Sequence, residues 1–184
     1  MRRGENVALT REIPSLTSVV LGTSLSAGSE TKLLENLVMA TILCDANSKA
    51  ISDEHFVFFN QLSSPEESVA QRDQALGPDL EQVVVDLHAV PPEVERIVVV
   101  LYLNEGVTQH RSFGQLKQCT IRVLNGADGA ELVRSENLAE AFVAETAVTL
   151  GELYRHQNGW KFKVIGDGYS NGVRGIAAYY GVDL

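Results

Sequence analysis

The segment Arg96-Ile97-Val98-Val99-Val100-Leu101-Tyr102-Leu103 admits few backbone conformations. Side chains branched at Cβ lose rotamer freedom in a helix and fit the pleated surface of a sheet, so this run predicts a strand. Pro91-Pro92 before it and Asn104-Glu105-Gly106 after it supply turn chemistry at both ends. Val83-Val84-Val85-Asp86-Leu87 is a second segment of the same kind, and the two form the expected centre of the fold. Leu37 to Cys44 is apolar at every position but Thr41 and runs into Asp45-Ala46-Asn47-Ser48. That is the pattern of a buried strand entering a hairpin, with Phe56-Val57-Phe58-Phe59 as its return.

Shorter segments extend the pattern. Val7-Ala8-Leu9 and Thr17-Ser18-Val19-Val20-Leu21 read as strands separated by Pro14, and Thr120-Ile121-Arg122-Val123-Leu124 reaches Glu131-Leu132-Val133-Arg134 through Asn125-Gly126-Ala127-Asp128-Gly129. Residues 145–154 and 160–164 flank another turn, with Trp160, Phe162 and Val164 alternating with Lys161 and Lys163. Residues 173–180 have apolar positions at helical intervals and Gly181 where a cap belongs. Residues 29–35 fit a helical turn or an irregular loop, while the polar stretch 61–82 reads as one long loop. About ten short strands with few helical turns predict a mostly β chain. The expected fold is a β-sandwich of two antiparallel or mixed sheets with a short C-terminal helix.

A length of 184 residues suits a single domain over 1–184. The formal charge of −9 repels phosphate backbones, and no basic cluster with interleaved aromatics offsets it, so nucleic acid is not an expected partner. Cys44 and Cys119 lie in separate apolar stretches and read as small core residues, which fits a reducing compartment. Met1-Arg2-Arg3 is followed by Gly4-Glu5-Asn6 instead of an apolar run, and no segment approaches the roughly 18 apolar residues of a membrane span. Cytoplasmic residence is the expectation.

Catalytic templates fit poorly. Gly22-Thr23-Ser24-Leu25-Ser26 lacks the final glycine of a nucleophile elbow. His55, His88, His110 and His156 lack the spacing of a helical zinc site. His55 beside Asp53 and Glu54 is a candidate general base whose plainer reading is a solvated turn, and His156 sits at an expected hairpin tip. The glycine run 166–172 carries Asp167 where a phosphate cradle needs donors, so it reads as a strand-to-helix connection. Asp45-Ala46-Asn47-Ser48-Lys49 lacks the ligands of an EF-hand. Asp73, Asp79 and Glu81 could supply hard oxygens to Ca²⁺ from one loop, against the plainer reading of a hydrated acidic segment.

The block Gly151-Glu152-Leu153-Tyr154-Arg155-His156, with Trp160-Lys161-Phe162 and the 166–172 glycine run, resembles the C-terminal signature of the TerD tellurium-resistance family. Gly4-Glu5-Asn6-Val7-Ala8-Leu9-Thr10, residues 56–65, Asp86-Leu87 before Val90-Pro91, and Ser112-Phe113-Gly114-Gln115 extend the resemblance over nearly the whole chain. It implies a bacterial two-sheet sandwich linked to resistance to tellurite, other chemical stress, phage and pore-forming toxins, without established catalysis. It also implies calcium binding through two acidic stretches. Leu34, Asn36 and Val38 stand where the first stretch carries aspartates, and Asp73, Gln74, Gly77, Asp79 and Glu81 preserve part of the second. Thr23-Ser24 replaces a tryptophan that often follows the glycine of the second strand. Ca²⁺ takes roughly six to eight oxygens, so the expected site is degenerate.

The resulting expectation is a non-enzymatic stress-response binding module acting through protein partners or a small ligand, with no firm cofactor and at most weak Ca²⁺. The alternative is a calcium-binding TerD-type protein using the 73–81 loop. A third reading is a hydrolase around His55 or His156.

Overall fold

The computed structural model describes residues 1–104 and 110–184. One sheet holds six strands in the order β1 (Asn6–Ala8), β11 (Gly159–Tyr169), β10 (Ala147–His156), β7 (Arg96–Leu103), β3 (Leu37–Cys44) and β4 (Phe56–Val57). The other holds five, β5 (Val69–Gln71), β6 (Glu81–Asp86), β2 (Ser18–Ser26), β8 (Gln118–Asn125) and β9 (Glu131–Arg134). Every pairing between these strands is antiparallel. Among the described residues, two helices, α1 (Thr31–Glu35) and α2 (Val173–Tyr180), complete the regular structure with short 3-10 turns.

Successive strand residues point to opposite faces, so one apolar face would suffice for a half-buried strand. In β3 and β7 both faces are apolar because both are covered. Leu37, Met39 and Leu43 of β3 join Ile97, Val99 and Leu101 of β7 in a core shared with Leu21, Val83 and Ile121 of the second sheet. Val38, Ala40, Ile42, Val98 and Val100 point the other way, into a smaller cluster with Ile176, Ala177 and Tyr180 of α2. The continuous apolar runs are therefore the mark of a sheet sandwiched between another sheet and a helix. Gly181, at φ 72°, ends α2 in the left-handed conformation that glycine adopts without a steric penalty.

The strands at 37–44, 96–103 and 131–134 and the helix at 173–180 match the sequence expectation residue for residue. The stretch 61–82 does not: it contains β5, which pairs with β6, and an isolated bridge between Ser63 and Ala70. A three-residue edge strand is too short to show a period in sequence. Residues 31–35 of the ambiguous 29–35 segment are helical, and β11 runs on through Gly166 and Gly168 to Tyr169. The return strand expected at 56–59 pairs only over Phe56–Val57. Of the turn expected at Asn104-Glu105-Gly106, the last two residues lie outside those described.

The β10–β11 hairpin closes through Gln157 and Asn158, both at positive φ (48° and 63°), the geometry of a two-residue turn that follows the strand twist. Register slips between Thr149 and Gly151 on β10. A Cβ at Gly151 would lie 2.8 Å from Phe162 Cζ, so only glycine fits beneath that ring. Ile176 of α2 is fully buried against the sheet, and Ile176→Ala is expected to cost about 2–5 kcal/mol. Urea unfolding measures it, and a cost below about 1 kcal/mol would mean that α2 does not close the outer core.

Candidate functional site

The three carboxylates expected to approach a cation are placed apart in kind. Asp73 is exposed, Glu81 is half-buried, and the Asp79 side chain is completely enclosed. Asp79 lies over Gly22 of β2, where any Cβ would collide with its carboxylate. Arg122 of β8 reaches it with Nε donating to Oδ1 at 2.8 Å and Oδ2 at 3.0 Å, and Gln82 Nε2 donates to Oδ2 at 2.6 Å. Gln82 also ties down the loop, donating to the Leu76 carbonyl at 2.9 Å and accepting from the Leu76 amide at 3.2 Å and from Arg72 Nη1 at 2.9 Å.

A guanidinium thus occupies the position opposite the Asp79 carboxylate. The pairing with Asp79 raises the pKa of Arg122 further above its already high ordinary value. Burial pushes the Glu81 carboxyl up, against a hydrogen bond from Gln71 Nε2 at 3.0 Å, which makes it a poorer anion. Among the described residues, no group of three or more His, Cys, Asp or Glu side chains converges as a metal site. Arg122 was legible as a lone charge in the apolar strand 120–124, but its partner, some forty positions away, was not. Removing one member of a buried ion pair leaves the other uncompensated, so Asp79→Asn is expected to destabilise by about 3 kcal/mol. Replacing both members, with Asp79→Leu and Arg122→Met, is expected to restore most of the loss in urea unfolding. An undiminished midpoint for Asp79→Asn would show that the pair does not hold the loop.

His55 is buried, contrary to the solvated turn expected for it. Asp53 is turned away and accepts the Asp183 amide at 2.8 Å. The imidazole instead meets Ser52 Oγ at 2.7 Å through Nδ1 and Glu66 Oε2 at 3.0 Å through Nε2, while Glu66 Oε1 accepts from Ser68 at 2.6 Å. Hydroxyl, imidazole and carboxylate in line is the order used in nucleophilic sites. Here the same contacts tie the 3-10 turn Asp53–His55 to the loop before β5. Burial raises the Glu66 pKa, but hydrogen bonds from Ser68 and Ser64 outweigh it and leave the carboxyl below its ordinary 4.5. A depressed carboxyl stabilises the fold above its unfolded pKa, and that stability is lost as pH falls through the folded value. Glu66→Gln is expected to flatten the loss of stability below pH 4.5, read from denaturant midpoints across pH. An identical acid limb in both proteins would refute the charge-dependent role.

Cys44 and Cys119 are free and buried, and burial pushes each thiol up to about 12. Both stay protonated near neutral pH, which disfavours nucleophilic or soft-ligand chemistry.

Residues 155–161, within the signature block, form one wall of a cavity of about 660 Å³ whose other walls are the 8–16 segment and the 87–90 turn. Arg155 is fixed there by Nε donating to the Val94 carbonyl at 2.7 Å and Nη2 donating to those of Val90 and Pro91 at 3.0 Å each. Its guanidinium lies over the Trp160 ring at 4.5 Å, and the Trp160 amide donates to Thr10 Oγ1 at 2.8 Å. Of the histidines weighed in the sequence, His88 and His156 line this cavity.

A family profile described as TerD domain matches residues 1–180. The chain is 34% identical over 187 residues to the Tellurium resistance protein TerD of Serratia marcescens, covering 100% of this chain and 97% of that one. It is 36% identical over 193 residues to General stress protein 16U of Bacillus subtilis (strain 168), with the same coverage. A crystal structure of a homologue of telluride resistance protein (TerD) from Streptomyces coelicolor A3(2) superposes with a TM-score of 0.67 at 18% identity, over 88% of this chain and 95% of that one. That likeness concerns the fold alone, and the full-length sequence matches carry the assignment: the chain belongs to the TerD domain family.

Proposed function

We propose that this protein is a non-enzymatic bacterial stress-response module of the tellurium-resistance type, working by binding and not by turnover. The observation that carries this reading is the composition of the signature-block cavity. Its walls hold cations, imidazoles and amides, with no serine, cysteine or carboxylate among the lining residues. Such a wall offers donors to a ligand, and its one side-chain hydroxyl, on Thr10, already accepts the Trp160 amide. The names of the relatives, a tellurium resistance protein and a general stress protein, support the physiological side.

Cytoplasmic residence and protein partners belong to the same proposal, and the two free thiols favour the first of these. No helix among the described residues is long and apolar enough to cross a membrane. The overall charge of −9 argues against nucleic acid as a partner. The 73–81 loop serves a structural part, since Asp79 is neutralised internally by Arg122. The calcium-binding alternative would need that arginine to withdraw.

Deleting the gene is expected to lower host survival under tellurite, with restoration by the wild-type gene, and unchanged survival would overturn the stress-response reading. For the purified protein, exchanging EDTA for about 1 mM Ca²⁺ is expected to move Tm by less than about 1 °C, because a ligand stabilises only the state that binds it. A rise of several degrees would favour the calcium-binding alternative.

A further inference from the structure

We propose that the cavity between the β10–β11 hairpin, the 8–16 segment and the 87–90 turn is a binding site for a small oxyanion of the phosphate class. The proposal rests on the reading of the chain as a binding module and supplies its ligand chemistry. Charge distribution is the first support. The fifteen lining residues include three of the chain's fifteen Lys and Arg, two of its four His and none of its twenty-four Asp and Glu. A protein with a net charge of −9 has gathered Arg11, His88, Arg155, His156 and Lys161 around one concavity. The nearby Glu95 lines an adjoining cavity of about 390 Å³ that shares Arg155 and His156.

Pairing is the second support. Arg3, Arg96, Arg122 and Arg134 each meet a carboxylate within salt-bridge distance. Arg11, Arg155 and Lys161 form no such pair among the described residues, in common with most of the chain's fifteen Lys and Arg, but these three share one concavity. Arg155 and Lys161 are half-buried, so part of their hydration is lost and an anion in the cavity would make it good.

Preorganisation is the third. Three backbone carbonyls and the Trp160 ring hold Arg155 by its Nε and Nη2 edge, which leaves Nη1 without a protein acceptor among the described residues. A guanidinium fixed in advance loses little rotamer freedom when its Nη1 donates to an oxyanion, and its charge strengthens that bond. Exposed Arg11 and half-buried Lys161 add charge at the rim, and the imidazoles of His88 and His156 add ring nitrogens. The cavity lies within the range of about 300–1,000 Å³ typical of small-molecule sites. A polyanion would also meet the surrounding acidic surface, so the local positive field selects a compact ligand.

Calorimetry on the full-length protein at low ionic strength, with inorganic phosphate, pyrophosphate and ADP as separate probes, tests this. At least one probe is expected to bind saturably with Kd below about 1 mM. Affinity for phosphate or pyrophosphate matching that for ADP would identify a free oxyanion, and at least ten-fold tighter ADP would identify the phosphate of an organic ester. Arg155 is left intact in the variant because its carbonyl bonds hold the hairpin. Arg11→Gln with Lys161→Gln is expected to weaken binding at least ten-fold with Tm unchanged. Absence of saturable binding for all three probes, or equal affinity in the variant, would overturn the proposal. If binding fails while the tellurite phenotype of the deletion persists, the oxyanion is wrong and the stress-response reading stands.

Discussion

Burial of both faces of β3 and β7 is the constraint from which the rest of the architecture follows. A strand apolar on every residue cannot face water on either side, and each large side chain left exposed would forfeit about 1.5–3 kcal/mol. The second sheet covers one face through Leu21, Val83 and Ile121. The other face is covered by α2, an eight-residue helix too short to be stable alone, which owes its persistence to Ile176, Ala177 and Tyr180 packing on that face. The C-terminal segment is therefore part of the core, with β3, β7 and the Ala147 end of β10 held between it and the second sheet.

Beyond β3 and β7 the six-stranded sheet keeps polar groups on its outer face, as in the Arg96–Glu152 pair at 2.7 Å, and another set lies on the outer face of the second sheet. On that face, Gly22 leaves room for Asp79, and Arg122 neutralises it beside Gln82. A buried pair of this kind adds little net stability over apolar packing, yet it ties one loop conformation to one sheet position. At the opposite extreme of accessibility, the β10–β11 turn carries Arg155 and His156 into an open cavity. One arginine is satisfied by a carboxylate of its own chain and the other only by carbonyls and a ring. That difference separates structural charge from charge available to a ligand.

Several elements were legible because their signals are local. The runs 37–44 and 96–103 declare themselves by composition, and α2 by its apolar spacing and Gly181. The Gly151 block likewise carries its family resemblance in its own residues. Pairings between distant segments were not legible. Glu66 joins His55 from across the sheet edge, and Arg122 meets Asp79 across more than forty positions. The Asp73, Asp79 and Glu81 set looked alike in sequence because carboxylates in one loop share a chemistry. Their surroundings make one exposed, one neutralised and one partly desolvated.

The amino-acid sequence by itself determined the class of fold, the position of the main strands, the closing helix and the family, because branched and apolar side chains act through local geometry and burial. The tertiary structure alone decided which charges are spent internally and which face a cavity. Electrostatic partnership depends on distances of about 3 Å between groups that the chain order keeps far apart, and only the packed sheets set those distances.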